Sequence, residues 1–203
     1  MTSWQELRDE AAACTRCDLY QRATQTVFGE GRTSASMALI GEQPGDQEDK
    51  RGHPFVGPAG RILDRALDEA GINRDDVYVT NAVKHFKWTE RGKRRIHQRP
   101  NAGEIRACRF WLDGELGTVR PRLVVLLGAV AGEAMFGSRY RVGEHKGKAG
   151  EASFGSWHGL VVGTIHPSAV LRGPDREDRD RAYAGLVADL VVAREAASEA
   201  AAR

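Results

Sequence analysis

The sequence predicts an α/β fold of three layers, in which a central sheet of four parallel strands lies between helices. Four short runs are rich in valine, isoleucine and leucine and do not alternate with polar residues. Such runs are typical of strands buried on both faces of a parallel sheet. Segments with helical periodicity separate the runs, and this alternation of strand and helix favours a parallel, layered arrangement.

The elements follow in order along the chain. The predicted strands are residues 37–41, 77–80, 123–128 and 160–165. The predicted helices are residues 59–70, 103–116, 129–136 and 179–200. In the first of these helices, apolar residues form one stripe, and Gly71 can end it. The glycine-rich residues 143–155 are predicted to be a surface loop.

The composition fits one ordinary domain. The chain has 203 residues, of which 41% are hydrophobic, and it shows no internal repeat or linker, so we expect residues 1–203 to form a single domain. No apolar run approaches the roughly 20 residues that cross a bilayer. The N-terminal residues are polar helix formers and do not resemble a signal peptide, so we expect a cytoplasmic protein. No heptad pattern indicates a coiled-coil dimer, so we expect a monomer.

Positive charge is concentrated in one segment. The net charge is only +2, but seven lysines and arginines lie between Lys84 and Arg99 with a single acid, Glu90. A segregated basic segment is a candidate phosphate-binding surface. The alternative is an ordinary solvated loop.

Polar residues with special backbone properties follow the predicted strands. Gly41-Glu42-Gln43-Pro44-Gly45 follows the first strand, and Asn81 follows the second. Gly128 ends the third strand, and His166-Pro167-Ser168 follows the fourth. Ligands of open parallel sheets bind outside the carboxyl ends of the strands. The four segments are therefore predicted to share one active site.

The residues of this rim suggest chemical roles. The turn at Gly41 lets the backbone approach a ligand closely, and a carboxylate of Glu42 or Asp46 could orient a nucleophile or stabilise a cation. The ring of Phe55, in a loop stiffened by proline and glycine, could stack on a flat base. Each has a structural alternative: an acidic helix cap for the carboxylates and a hydrophobic plug for the phenyl ring.

Two further side chains on this rim offer hydrogen bonds to a base. The amide of Asn81 carries a donor and an acceptor and can pair with an O4/N3–H edge, which cytosine does not present. The imidazole of His166 could donate to a departing anion. Asn81 could instead satisfy nearby backbone, and His166 could be structural.

The basic segment ends in an imidazole. Lys93, Arg94 and Arg95 precede Ile96 and His97 in a predicted polar loop. Such a loop could bind phosphate and present a nucleophile. The alternative is a charged loop with an incidental histidine.

Three cysteines suggest a metal centre. An odd number with a Cys-x-x-Cys pair does not suggest a disulfide framework. Cys14, Cys17 and Cys108 with His85 supply four ligands, and both zinc and a four-iron cluster fit that number. A thioredoxin-like redox pair is disfavoured because this pair precedes the first strand.

These residues together resemble the iron–sulfur uracil-DNA glycosylases of family 4. The similarity runs from Cys14 to Arg172. The matching pieces are Cys14-x-x-Cys17, Val27-Phe28-Gly29-Glu30-Gly31, Gly41-Glu42-x-Pro44-Gly45 with Glu48-Asp49, Pro54-Phe55-Val56-Gly57, Thr80-Asn81-Ala82-Val83-Lys84, Cys108, and His166-Pro167-Ser168 with Leu171-Arg172. The chain departs from the usual pattern at His85, where the family has a cysteine, and in its extra segment Lys93 to His97. These features resemble the UdgX class, whose loop histidine bonds covalently to the abasic sugar.

The resemblance implies a role for each residue. His97 would be the nucleophile, positioned by Glu42 and Gln43, with Arg95 supporting the loop. Phe55 would stack on uracil, Asn81 would read its edge, and His166 would stabilise the leaving anion. The expected contacts to DNA are Lys84, Lys93, Arg94, Arg95, Ser168, Leu171 and Arg172. A structural 4Fe-4S cluster is expected on Cys14, Cys17, His85 and Cys108, with zinc as the alternative.

The expected function is excision of uracil from DNA, preferably single-stranded, with covalent capture of the protein on C1′ of the sugar through His97. One alternative is a glycosylase of family 4 type that turns over, in which His97 only binds phosphate. The other is a metal-stabilised nucleic-acid-binding module without catalysis, which would leave Phe55, Asn81 and His166 unexplained.

Overall fold

The computed structural model describes residues 3–201 and confirms the α/β architecture. Its central sheet has five strands in the order β2-β1-β5-β7-β6. The strands of this sheet are β1 (Met37–Gly41), β2 (Val77–Asn81), β5 (Leu123–Leu127), β6 (Ala149–Phe154) and β7 (Trp157–Thr164). The four predicted strands are β1, β2, β5 and β7, and they are parallel to one another.

The fifth strand corrects the sequence prediction. Residues 143–155 were expected to be a surface loop, but they contain β6, which pairs antiparallel with β7 at the edge of the sheet. Most of β6 is exposed, and its residues are small or polar. An exposed edge strand therefore carries little of the apolar signal that identified the buried strands.

The predicted basic loop is also a strand. β3 (Trp88–Arg91) and β4 (Arg94–His97) form a separate two-stranded antiparallel ribbon. Gly92 occupies the turn with a φ of 59°, a left-handed conformation that glycine adopts without strain. The register pairs His97 with Trp88 at the base of the ribbon and Arg94 with Arg91 beside the turn. We call β3 and β4 the ribbon.

Eight helices among the described residues surround the sheet. They are α1 (Trp4–Ala12), α2 (Asp46–Arg51), α3 (Pro58–Glu69), α4 (Ala102–Val119), α5 (Ala129–Phe136), α6 (Val142–His145), α7 (Pro167–Leu171) and α8 (Arg176–Ala201). The predicted helices correspond to α3, α4, α5 and α8, within a few residues at their ends. α4 begins where Asn101 and Glu104 form a reciprocal capping box.

The core has two parts, one on each face of the sheet. Ile40 and Leu126 pack with α1, α4 and α5 on one face. Leu39 and Leu127 pack with α3, α7 and α8 on the other face. Each fully buried leucine or isoleucine contributes roughly 1.5–3 kcal/mol. Since neighbouring residues of β1 and β5 serve opposite layers, these strands are apolar at every position. Across residues 3–201, the helices are too short or too polar to cross a membrane.

Candidate active site

A cavity of about 390 Å³ lies at the carboxyl ends of β1, β2 and β7. Its walls include Glu42 after β1, Asn81 at the end of β2 and His166 after β7, together with Phe55 and His97. The segment after β5 does not line it, contrary to the expectation that all four segments would. Gly128 instead packs behind His166, where an added Cβ would lie 2.9 Å from the His166 Cβ.

The floor of the cavity combines an amide with an aromatic ring. Asn81 is 2% exposed, and its Oδ1 is buried without a hydrogen-bond partner. A Cβ at Gly41 would lie 2.3 Å from that oxygen and 2.5 Å from Cζ of Phe55. Only glycine at position 41 therefore lets the amide oxygen and the phenyl ring come this close to the end of β1. The arrangement is that expected of a slot for a flat, polar-edged ligand.

The loop that carries Phe55 is held rigidly. Phe55 has a φ of 56°, which is rare for a residue with a side chain. Glu48 Oε1 accepts a hydrogen bond from the Gly57 amide at 2.7 Å. Gly60 brings α3 against the Phe55 carbonyl so closely that an added Cβ would lie 1.7 Å from the oxygen. These contacts fix the ring, which stacks on His166 with centroids 6.0 Å apart.

The tautomer of His166 follows from its neighbours. The Ser168 amide donates to Nδ1 at 3.2 Å, and the Ser168 hydroxyl lies 2.8 Å from the same nitrogen. Arg172 donates to that hydroxyl oxygen at 3.1 Å, which leaves the hydroxyl hydrogen for Nδ1. Nδ1 is therefore an acceptor, and Nε2 carries the hydrogen. Burial lowers the pKa of His166 to about 4, so the ring is a neutral donor at physiological pH.

His97 and Glu42 face each other at the cavity wall. Their Nε2 and Oε1 atoms are 3.3 Å apart, and the His97 side chain is 50% exposed. This is a close polar contact, and Glu42 Oε1 is buried without a hydrogen-bond partner. Burial alone would raise the pKa of Glu42, but His97, with His166 and Arg99, holds that pKa below its usual range. The carboxylate is thus charged and its oxygen is free to accept.

Gln43 holds the base of the ribbon by both strands. Its Oε1 accepts from the Lys87 amide at 3.0 Å, and its Nε2 donates to the Gln98 carbonyl at 2.9 Å. Lys87 precedes β3 and Gln98 follows β4, so one side chain bridges the two ends of the ribbon. His97 is the neighbour of Gln98, and Gln43 therefore sets how far the imidazole reaches into the cavity.

Arg95 attaches the ribbon to α2. Its Nε donates to Asp46 at 2.6 Å and its NH1 donates to Asp49 at 2.6 Å. The guanidinium also lies 5.4 Å from the ring centroids of Phe86 and Trp88. These contacts hold the ribbon against α2. Asp46 lines the cavity, but Arg95 donates to its Oδ1 and Lys50 donates to its Oδ2. Both carboxylate oxygens therefore already accept a hydrogen bond from the protein, which weakens the predicted catalytic role.

The expected DNA contacts fall in different places. Lys93 and Arg94 are exposed at the turn of the ribbon, and Leu171 is 46% exposed on the cavity rim. The prediction for Lys84 is wrong, because its side chain is fully buried in an ion pair with Glu115 and cannot reach a phosphate. Arg95 is bound by acids, and Ser168 by His166.

The four expected metal ligands gather between α1, α4 and the end of β2. The neighbouring Cys108 thiol lowers the pKa of the Cys17 thiol to about 6. Cys14 Sγ accepts from Trp111 Nε1 at 3.0 Å. Within residues 3–201, no three His, Cys, Asp or Glu side chains are placed to share one metal ion. A four-iron cluster is wider than one ion, so its ligands need not converge on a single point.

His85 provides the test of whether these residues fit such a group. The Thr26 hydroxyl donates to the Ala11 carbonyl at 2.9 Å, so its oxygen accepts from His85 Nε2, which lies 2.9 Å away. Nε2 therefore carries the hydrogen, and Nδ1 has a free lone pair. That nitrogen is buried without a partner. An unprotonated, unpartnered imidazole nitrogen, on the residue that follows Lys84, whose amide donates to Cys108 Sγ at 3.5 Å, fits a metal ligand.

Sequence reasoning missed Glu115 and Glu48. Glu115 lies on the apolar stripe of α4 beside Leu112 and Leu116, and all three are fully buried. An acid on a buried stripe requires a buried cation, and this signal was present in the sequence. Glu48 gave no such signal, because its partner is the backbone amide of Gly57.

Comparisons with known proteins agree with this fold. The model of the Uracil DNA glycosylase superfamily matches residues 28–191. This chain therefore belongs to the uracil-DNA glycosylase superfamily.

Within the superfamily, the chain is similar to proteins named type-4 uracil-DNA glycosylase. It is 34% identical to that of Pyrobaculum aerophilum over 174 residues, which are 84% of this chain and 85% of the relative. It is 36% identical to that of Thermotoga maritima over 168 residues, 82% of each chain. A type-5 uracil-DNA glycosylase of Thermus thermophilus is 34% identical over 142 residues, 59% of this chain and 61% of the relative.

Proposed function

We propose that this protein removes uracil from DNA and that its own His97 then bonds to the sugar left behind. The observation that carries the first part is the buried, unpartnered Oδ1 of Asn81, a residue that lines a cavity together with Phe55 and a neutral His166. The names of the type-4 relatives support the same activity.

Selection of uracil follows from hydrogen-bond chemistry. An unpartnered carbonyl oxygen in a buried site requires a donor, because burial without one costs free energy. Uracil offers N3–H to Asn81 Oδ1, whereas cytosine presents a bare acceptor nitrogen at that position. Phe55 would stack on the ring face. A base inside the helix cannot reach this cavity, so it must first be flipped out, and Leu171 on the rim would occupy the gap.

Cleavage requires stabilisation of the leaving base. The C1′–N1 bond breaks with its electron pair passing to uracil, which leaves as an anion. His166 Nε2–H donates to that anion from a fixed, dry position, as an oxyanion hole does. The charged Glu42 carboxylate is near the place where positive charge develops on the sugar. Both groups therefore favour the transition state over the ground state.

The fate of the sugar depends on His97. A lone pair of the neutral imidazole forms a bond to C1′, and the ring then loses its N–H proton to Glu42 or to solvent. The resulting alkylated imidazole is a poor leaving group, so each protein molecule would react once. The proximity of Glu42 and the grip of Gln43 on the ribbon support this proposal.

The alternative is that water captures the sugar and the enzyme turns over. The type-4 relatives favour this course, since their names describe glycosylases and no adduct. Glu42 Oε1, which has no hydrogen-bond partner, could orient that water. His97 would then only line the cavity wall.

A denaturing gel separates the two outcomes. Uracil-containing single-stranded DNA mixed with the protein should give a denaturation-resistant protein–DNA band at close to one DNA per protein. His97→Ser should abolish the band. His158→Ser, which changes an exposed histidine of β7, should leave the band unchanged. Release of many uracils per wild-type molecule without a band would establish turnover and refute capture.

We also propose that Cys14, Cys17, His85 and Cys108 hold a 4Fe-4S cluster, with zinc as the alternative. The free lone pair of His85 Nδ1 and the lowered pKa of Cys17 beside Cys108 support this ligand set. The cluster would join α1, α4 and the end of β2, so its role would be structural.

The exposed cations Lys93 and Arg94 would hold the phosphates of a single strand.

A further inference from the structure

Lys84 and Glu115 form an ion pair inside the protein. Lys84 Nζ lies 2.5 Å from Glu115 Oε2, and both side chains are 0% exposed. The ammonium also donates to Thr80 Oγ1 at 2.8 Å and to the Asn81 carbonyl at 2.6 Å. Its three hydrogens are therefore all used, which is the condition for burying an ammonium group.

Glu115 is satisfied by the surrounding chain. Its Oε1 accepts from the Gly29 amide at 2.8 Å, from the Tyr78 hydroxyl at 3.1 Å and from the Thr80 hydroxyl at 3.0 Å. These donors come from β2 and from the segment before β1. The carboxylate thus holds the ammonium group through Oε2 while its Oε1 is bound by the surrounding chain.

The pair acts on one particular peptide bond. Lys84 holds the carbonyl of the peptide that joins Asn81 to Ala82, and the amide of the same peptide donates to the Gly41 carbonyl at 2.9 Å. Both ends of this peptide plane are therefore bonded. A fixed peptide plane fixes the Cα–Cβ direction of Asn81, and hence where its Oδ1 points in the cavity.

Stability alone does not account for this pair. The desolvation of two charges offsets most of their attraction, and apolar side chains of similar size often stabilise a fold as well or better. The position of the pair, directly behind the cavity residue Asn81, suggests a functional reason for it.

We infer that Lys84, held by Glu115, is a positioning residue that aims the Asn81 amide at the base. The inference rests on the proposed excision of uracil. Lys84 touches neither base nor sugar. It acts only through the peptide of Asn81, so its effect must disappear when the Asn81 side chain is absent.

A double-mutant cycle tests this inference. In Lys84→Met/Glu115→Gln the charges are removed, while glutamine still accepts from Gly29 and Tyr78. The variant should release uracil about 10- to 100-fold more slowly in single turnover, as expected of a small misplacement at a reacting site. Its affinity for single-stranded DNA without uracil should not change. In an Asn81→Ala background, the same pair of substitutions should have no further effect.

A control and a milder variant complete the test. Arg74→Met/Asp64→Asn removes an exposed ion pair between α3 and the start of β2 and should leave the rate unchanged. Thr80→Val takes one partner from Lys84 without changing any charge, so it serves if the double variant does not fold. It should show a smaller loss of rate that also vanishes with Asn81→Ala.

The outcomes are distinct. The combined variant carries Lys84→Met, Glu115→Gln and Asn81→Ala. If its rate falls by the product of the factors lost in the double variant and in Asn81→Ala, the inference is overturned. A parallel fall in the affinity of the double variant for DNA without uracil would also overturn it. If the wild-type protein releases no uracil, the proposed function itself fails, whatever the variants do.

Discussion

The hydrogen-bond network of one histidine determines how the site responds to pH. Ser168 occupies Nδ1 of His166, and burial lowers the pKa of the ring to about 4 from an ordinary value of 6.5. The ring is neutral above that pH, with its hydrogen on Nε2, so its charge does not change near pH 6.5. The single-turnover rate of uracil release by His97→Ser, which leaves His166 as the imidazole of the cavity wall, should therefore show no step near pH 6.5.

A change in that rate centred near pH 6.5, in either direction, would mean that His166 gains or loses its proton there. That result would contradict the assignment of a buried, neutral ring. The same shift has a consequence for stability. Between about pH 4 and pH 6.5, His166 binds fewer protons in the folded chain than in the unfolded one. Its contribution to the free energy of unfolding is therefore present above pH 6.5 and is lost as the pH falls through this range.

Single residues were the least predictable part of the site. Asn81 and His166 were identified because each follows a buried strand, and the sheet brings strand ends together. Phe55 was identified because proline and glycine stiffen its loop. Lys84 was assigned to DNA because it begins the basic segment that ends at Arg99. Its burial depends on Glu115, 31 residues away in α4. Only the packed structure shows that these two side chains meet.

Among the elements, the ribbon depends most on side-chain contacts. Arg95 binds Asp46 and Asp49 through different nitrogens, a fork that lysine cannot reproduce. Arg95→Lys should therefore loosen the ribbon and lower the yield of the covalent band about 10-fold or more. Uracil release should change much less, because Asn81 and His166 lie on the main sheet and its loops.

Arg91→Lys is the matched control for that variant. Arg91 is exposed in β3 beside the turn of the ribbon. The same substitution there keeps the charge and breaks no pair of contacts like those of Arg95 with Asp46 and Asp49, so the covalent protein–DNA band should persist. Equal loss of band and of uracil release in Arg95→Lys would show that the ribbon shapes the whole cavity and not only the position of His97.

The sequence signals for elements were strong inside the sheet and weak outside it. β1 and β5 consist of apolar residues because both faces are covered, so their pattern alone located them. β6 contains Glu151 and Ser153 on an exposed edge, and the ribbon is charged along most of its length. Neither β6 nor the ribbon is stabilised mainly by burial of apolar side chains, so the hydrophobic pattern of the sequence could not reveal them. Their pairing depends on the backbone and on turns such as Gly92.

At the scale of the whole molecule, the proposed cluster joins segments that are far apart in the chain. Its ligands come from the chain after α1, from the end of β2 and from α4. A group that binds only the folded chain stabilises it by mass action. The purified protein should therefore absorb near roughly 400 nm, as cysteine-ligated iron–sulfur clusters do. Cys17→Ser should lose this absorbance and unfold at a lower temperature.

Metal analysis decides between the two proposed occupants. If the purified protein contains zinc and shows no visible absorbance, the site holds zinc and not an iron–sulfur cluster. Iron and absorbance that survive in Cys17→Ser would remove Cys17 from the ligand set. The non-catalytic module remains a separate question, which release of uracil by the wild-type protein answers.

Within residues 3–201, the ribbon makes no strand pairing with the main sheet and joins the rim through Gln43 and Arg95. Long insertions between elements cost little free energy, since loop closure depends only weakly on length. The length of this insertion can therefore vary at little cost to the stability of the fold. A variant that lacks the ribbon would still carry Asn81, Phe55 and His166 on the main sheet and its loops.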